Sequence, residues 1–511
     1  MNSMKTKLIF SLCFLSAVHI ANAQWTSKFV HPGNDGKLEY TPDAQGNIIP
    51  DFSGVGYYHQ RKAIPDVPVV KAIVPTGAAD DLNMIQQVID EVSKMDVQAN
   101  GFRGAILLAK GIYRISGTLK IGASGIVLRG EGQGTKLIAT GKGQRSLISA
   151  GGSGNLKEIP GTRRKITDAY VPVGARSFSV NNVSGLKTGD RIVVFRPGTD
   201  KWIHDLKMDQ IEARDSSTKQ WMAKEYDLHF EREITKIEGN RVFIDDPVVM
   251  AMEEQYGGGE VYLYSFNGRI NEVGIEDLFC ESEFASDTDE DHGWNAVSFG
   301  RVENGWVRNV QARYFGYSCV NLGSQSKNIT VRDCRCVEAK SQITGGRRYS
   351  FNNDGQQNLF MDCYAADGRH DYVTGAKVCG PNVFFRSKAE RTHADTGPHH
   401  RWAMGTLYDN IVSDGEINIQ DRGNWGTGHG WAGVNQVLWN CTASKAAVQD
   451  PWVSGRNYVI GLNAEKYEGR LNGRPATEWE GPQKKGLQPV SLFEAQSKEA
   501  GIKWHELYQS K

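Results

Sequence analysis

The chain has 511 residues, with 59 Lys and Arg against 59 Asp and Glu and 39% hydrophobic side chains. With no net charge, no global field draws it to nucleic acid or to an anionic membrane surface, so an acidic ligand has to be met by a local cluster. The length suits one elongated solenoid or two to three compact domains.

Lys5 and Lys7 precede an apolar stretch, Leu8 to Ile20, which ends in Ala21-Asn22-Ala23. A basic start, a short apolar core and a small-x-small end make residues 1–23 a secretory signal peptide, with cleavage expected after Ala23. The apolar run is too short to span a bilayer and no later run approaches the required length. The expectation is a secreted or periplasmic monomer without a transmembrane segment. Without Lys5 and Lys7 the chain carries 57 basic and 59 acidic residues. Seven cysteines then remain: Cys280, Cys319, Cys334, Cys336, Cys363, Cys379 and Cys441. An odd number argues against a full disulfide framework, and the expectation is small buried hydrophobes.

Residues 24–76 form an N-terminal extension. In 77–159, Gly77-Ala-Ala-Asp80-Asp81 precedes Met84-Ile-Gln-Gln-Val-Ile-Asp-Glu-Val92, a helix with an acidic residue at its start. Then follow Ala105–Leu108, Gly111-Ile-Tyr113-Arg-Ile-Ser-Gly-Thr-Leu119 and Ile126-Val-Leu128-Arg-Gly130-Glu-Gly132. This stretch resembles the capping helix and first coils of the pectate-lyase superfamily. The resemblance implies an all-β, right-handed parallel β-helix whose N-terminal helix covers the open barrel end and its unpaired strand edges.

Residues 160–265 interrupt the coils. Val183–Gly189 with Asp190–Phe195, then Arg232–Asp246, read as short strands around a variable loop, Thr199–Glu225: a β-rich insertion. Its Trp202, Trp221 and His204 are candidates for a sugar site, although plain packing is the simpler reading of all three.

Residues 266–461 carry the strongest signal. Seven segments begin at Ile275, Val307, Val331, Phe360, Phe384, Leu407 and Leu438 and read IEDLFC, VRNVQA, VRDCRC, FMDCYA, FFRSKA, LYDNIV and LWNCTA. The first position is large and apolar, the third is Asp or Asn in six of seven, and the sixth is small. Period-two alternation is strand chemistry, and a base period near 23–24 residues suits one three-strand coil of a parallel β-helix. A β-propeller blade is longer, about 40 residues, and an α-solenoid needs helical periodicity that is absent. Residues 462–511 form a tail outside the solenoid, with Ser491–Ala500 and Trp504–Gln509 read as helical.

Five histidines, His370, His393, His399, His400 and His429, fall within 60 residues of one another, among many arginines. Counting back from the segment starts predicts two columns on successive coils, Tyr317/His370/His393 and Asn353/Lys377/His400. Such a groove, near residues 340–405, suits an extended anionic polysaccharide, its carboxylates facing cations. Removing the proton α to a uronate carboxylate needs a base and a cation for the developing enediolate. His370 or Lys377 is read as base, Arg369 and Arg401 as carboxylate clamps, and His393, His399 or His400 as acid or donor, with Tyr372 as leaving-group acid and Asp371 beside them. Arg347, Arg348, Asn353, His399 and Trp402 complete the substrate-binding set.

The residues fix no cofactor, and calcium is the candidate. Calcium is an alternative charge neutraliser in the pectate lyases that the chain resembles, with Asp354, Asp371 and Asp395 as candidate ligands; the acidic stretch Asp287–Gly293 reads as a solvated loop. A glycoside hydrolase is the second reading. Asn353-Asp354-Gly355 and Gly428-His429-Gly430 look like pieces of polygalacturonase motifs, but the paired-Asp motif expected between them is missing; Asp354 with Asp371 or Asp395 would then supply the carboxylate pair. A non-catalytic glycan-binding or adhesin β-helix is the third. Residues 393–410, HADTGPHHRWAMGTLYDN, look like a stretch that recurs in secreted proteins of this superfamily.

Overall fold

A computed structural model describes residues 24–503 and 507. The signal-peptide reading of residues 1–23 lies outside the described residues, as does all but Leu507 of the helix read over Trp504–Gln509.

The chain forms a right-handed parallel β-helix, its strands joined coil on coil into a 28-stranded sheet. The repeat sets the register. Ile275 pairs with Val307, Val307 with Val331, Val331 with Phe360 and Phe360 with Phe384, as the spacing predicts. The sixth segment departs from it: Phe384 pairs with Tyr408, not Leu407, and Tyr408 pairs with Leu438. Leu407 and Tyr408 are both buried, one in an outer cluster and one in the solenoid core. A strand buried on both faces loses its alternation, so the apolar pattern alone does not fix which residue points inward.

The corrected register explains the third position. Asp277, Asn309, Asp333, Asp362, Arg386, Asn410 and Asn440 all occupy left-handed backbone, with φ between 44° and 58°. Asn and Asp are the non-glycine residues that tolerate it best. Asn309→Ala is therefore expected to lose about 1 kcal/mol more than Asn309→Gly, measured by chemical unfolding. The fourth position points inward: Leu278, Val310, Cys334, Cys363, Ile411 and Cys441 line the core. All seven cysteines from Cys280 on are unpaired and buried.

Three segments pack on the solenoid. The helix Leu82–Ser93 sets Ile85, Ile89 and Val92 into the core of the first coils. The N-terminal extension lays Val30, Ile49, Phe52 and Val55 over Leu359, Val383, Leu407 and Val437 on the outside of one wall, where Leu492 and Phe493 of the helix Leu492–Glu499 join them. The insertion forms a separate seven-stranded antiparallel sheet. Four details differ from the sequence reading. Val69–Ile73, read as extension, and Asn463–Lys466, read as a tail outside the solenoid, are strands of the solenoid sheet. Val183–Gly189 is turn rather than strand, and Asp200–Asp205 is a short helix capped by the Thr199 hydroxyl. Trp202 and Trp221 pack with Trp402, Met404 and Trp431 in one buried cluster, so the insertion is anchored on the coils around residues 402–434.

Candidate functional site

A groove of about 1060 Å³ runs over the wall beside that anchor, lined among others by Tyr349, Arg369, His393, Asp395, His399, His400, Arg422 and His429. Strand register builds it. Tyr349 pairs with His370 on the next coil, and their rings meet edge to face at 4.9 Å. The ring of His399 lies 5.3 Å from Tyr349, 4.5 Å from His370, 5.2 Å from His400 and 5.1 Å from His429. His429 comes from a loop that the insertion props: Lys219 N–H donates to the Thr427 carbonyl, and the Arg214 guanidinium to the Gly426 carbonyl.

This histidine cluster is neutral. Burial, with Arg369 and Arg422 nearby, lowers His370 to about 4. Burial and the charges of Arg401 and Arg422 bring His400 to about 4. Burial, His400 and the same arginines bring His429 to about 3. His399, in the middle, is pushed down furthest, by burial and then by its neighbours. His370 Nε2 and the Nδ1 atoms of His399, His400 and His429 are buried without a hydrogen-bond partner. Neutral rings of this kind can take up a proton once a negative charge enters the groove.

Cations outnumber carboxylates around them. Arg214, Arg369, Arg422, Arg470 and Lys445 line the groove against Asp395 and Glu416. Both carboxylates are engaged: Asp395 pairs with Arg422, and Glu416 with Lys445 at 3.0 Å. Burial raises the Tyr349 hydroxyl to about 12 although Arg369 and Arg422 pull against it, so Tyr349 holds its proton at neutral pH beside two guanidiniums.

Of the residues singled out from sequence, His399, His400, Arg369, His393 and Asp395 line this groove, His393 at its exposed rim. His370 stands just behind, its Nδ1 2.7 Å from the Asp395 backbone carbonyl, where it orients rather than reaches. The two columns are not as predicted. Val373 pairs with Gly397 and Asn353 with Thr374, which puts His393 level with Arg369 and leaves Lys377 out of line with Asn353. Loops of unequal length between the strands break the equal-offset count.

Several candidates are committed elsewhere. Tyr372 points into the core and donates its hydroxyl to the Cys363 and Lys388 carbonyls at 3.0 and 2.6 Å, which removes it as a leaving-group acid. Asp371 is buried, accepts the Ser350 hydroxyl at 2.6 Å, and is raised to about 7 by burial. Asn353 is fully buried and accepts from Gly355 N–H and the Asn358 amide, a turn-forming role. Arg347 forks onto Glu290, and Arg348 holds Ser341. Trp402 is 0% exposed beneath the insertion, its ring 5.2 Å from Trp202, so it offers no face to a ligand. Arg401 bonds Thr427 and steadies the His429 loop.

Lys377 and Asp354 belong to a second cleft of about 450 Å³, with His229 and Tyr262 of the insertion. There the Lys377 ammonium donates to the Glu225 carbonyl at 2.5 Å, and burial raises Asp354. The candidate calcium ligands Asp354, Asp371 and Asp395 therefore do not converge; among the described residues, the one set of three His, Cys or carboxylate groups close enough to hold a metal is elsewhere. In the acidic stretch, Asp287 pairs with Lys340 and Glu290 with Arg347.

Several groove residues escaped the sequence reading, Tyr349, Arg422 and Arg470 among them. Tyr349 follows two arginines that drew attention instead, although its place at a strand head next to Ser350-Phe351 is a usable signal. Arg422 and Arg470 sit on loops with no local signature, and only the fold brings them in.

No protein-family model matches the chain, and no curated protein matches it in sequence. Among solved structures, the tailspike protein gp49 of Pseudomonas phage LKA1 is 12% identical, with a TM-score of 0.35 over 76% of this chain and 69% of that one. An alginate lyase from Paenibacillus sp. is 8% identical, with a TM-score of 0.36 over 81% of this chain and 99% of that one. The A-module of a mannuronan C-5 epimerase from Azotobacter vinelandii is 11% identical, with a TM-score of 0.34 over 79% and 88%. Likeness at this level assigns neither a family nor a substrate.

Proposed function

We propose that the protein is an exported, monomeric polysaccharide lyase that cleaves a uronic-acid-containing glycan by β-elimination in the histidine groove. The observation that carries this reading is the pairing of neutral histidines, whose buried nitrogens lack partners, with a protonated tyrosine and unbalanced arginines. Each group has a task. Arg369 and Arg422 hold the uronate carboxylate and stabilise the enediolate as charge moves onto it. His399 takes the proton α to that carboxylate; the substrate's own negative charge raises the ring's affinity for it. Tyr349, 5.3 Å ring to ring from His399, gives its proton to the departing glycosidic oxygen. The bond to that oxygen breaks as the double bond forms, conjugated with the carboxylate. His370 positions His399.

The hydrolase reading has less support. A glycosidase needs one carboxyl held protonated. In the groove, hydrogen bonds and Lys445 hold Glu416 low against the pull of burial, and Asp395 is tied to Arg422. Of the hydrolase candidates that burial raises, Asp371 is buried away from the groove and Asp354 lies in the second cleft with Lys377.

The test is a panel of uronic-acid polysaccharides followed by ultraviolet absorbance. A conjugated, unsaturated product supports the lyase. New reducing ends without that absorbance support hydrolysis, and binding without either supports the adhesin. Tyr372→Phe is expected to retain full turnover while losing roughly 1 kcal/mol of stability, the worth of a buried hydrogen bond.

A further inference from the structure

A third, polar cavity, of about 570 Å³, lies where the N-terminal extension, the insertion and the C-terminal helix meet. Five carboxylates line it, Asp51, Glu233, Asp245, Asp246 and Glu499, against the two guanidiniums of Arg61 and Arg176. One donor atom each from His59, Asp245 and Asp246 falls within 4.8 Å of the other two, close to the span of at most about 4.4 Å across one ion with metal–ligand distances of about 2.0–2.2 Å.

The surroundings hold each donor in place. His59 Nδ1 lies 2.7 Å from the Gly54 carbonyl and 3.4 Å from Asp246 Oδ2; with the Nδ1 proton on that carbonyl, Nε2 is the nitrogen left with a lone pair, as an outer-shell carbonyl arranges for a ligating histidine. Asp245 Oδ1 accepts the backbone amides of Glu233 and Asp246, both at 2.9 Å. Asp246 Oδ2 accepts from the Gln357 amide. The remaining oxygen, Asp246 Oδ1, has no partner although the side chain is 1% exposed. A buried carboxylate oxygen without a partner is costly, and a cation is what would satisfy it. Gly54 makes room: a Cβ there would fall 1.7 Å from this same Oδ1.

We propose that His59, Asp245 and Asp246 bind a first-row divalent cation, with its open positions facing the cavity. One imidazole and two carboxylates suit Zn²⁺ or Mn²⁺ better than an all-oxygen calcium cage. The ion ties the N-terminal extension to the insertion.

The test uses Zn²⁺ and Mn²⁺ with the full chain, by equilibrium dialysis and thermal denaturation. One equivalent of metal is expected to bind and raise the unfolding midpoint. Asp245→Ala, at a half-buried position, should weaken binding at least tenfold and abolish the rise; His59→Gln should do the same. His399→Ala should leave both intact. The inference is overturned if the wild type binds neither metal, which leaves His59 and Asp246 an ion pair only. It is equally overturned if the bound equivalent disappears with His399→Ala and survives Asp245→Ala, which places the metal in the histidine groove.

Discussion

Tyr349→Phe is expected to lower kcat on a susceptible uronate polymer by about 10²- to 10⁴-fold, the range that a positioned acid or base supplies. The ring stays, and with it the contacts to Tyr317 at 5.0 Å and to His370 and His399, so stability and substrate affinity should hardly move. His399→Ala should produce a similar loss. The double variant should lose little more than either single one, because proton removal and proton donation belong to one elimination. The pH profile separates the roles. A base held as far below its ordinary value as His399 gives activity that falls only at strongly acid pH, and a tyrosine acid gives activity that falls only at strongly alkaline pH. Full turnover by Tyr349→Phe would remove Tyr349 as the acid and undo the proposed chemistry.

How far the sequence led can be judged from particular residues. The coil period and six of seven segment starts were legible because a small residue at the sixth position and a left-handed Asn or Asp at the third recur for steric reasons. The slip at Leu407 and Tyr408 came where an outer layer covers the wall and both strand faces are apolar. The cluster of histidines was legible as a density, and His399 and His400 do line the groove. Their neighbours were not legible, since columns depend on the loop lengths between strands. His370 meets Tyr349 rather than Tyr317 in register, and Asp371 and Tyr372 turn inward. Arg422 enters from a loop held by the insertion, a contact between segments about 200 residues apart, which no local pattern announces.

Acid pH should destabilise the fold through the same cluster. The folded values of His370, His400 and His429 lie at about 4, 4 and 3, and that of His399 is also depressed, against about 6.5 in the unfolded chain. A histidine depressed in this way contributes stability that is complete above the unfolded value. The contribution is lost as pH falls from about 6.5 toward the folded value, because there the unfolded state binds the extra proton. Each such proton is worth about 1.4 kcal/mol per pH unit. Asp371 and Asp409 run the other way: burial holds both near 7, so in the same window the folded state binds their protons and gains stability as pH falls. Near pH 5, about four protons favour the unfolded chain and about two the folded one. These six groups thus cost about 2.7 kcal/mol for each unit of acidification. Unfolding free energies measured by denaturant between pH 6.5 and 4.5 should show these contributions as differences in slope between the wild type and two variants. His370→Gln, which keeps a donor for the Asp395 carbonyl, should flatten it by one proton. Asp371→Asn, which keeps an acceptor for Ser350, should steepen it by one. Slopes that stay parallel in the three proteins would mean that neither buried group changes its protonation on folding.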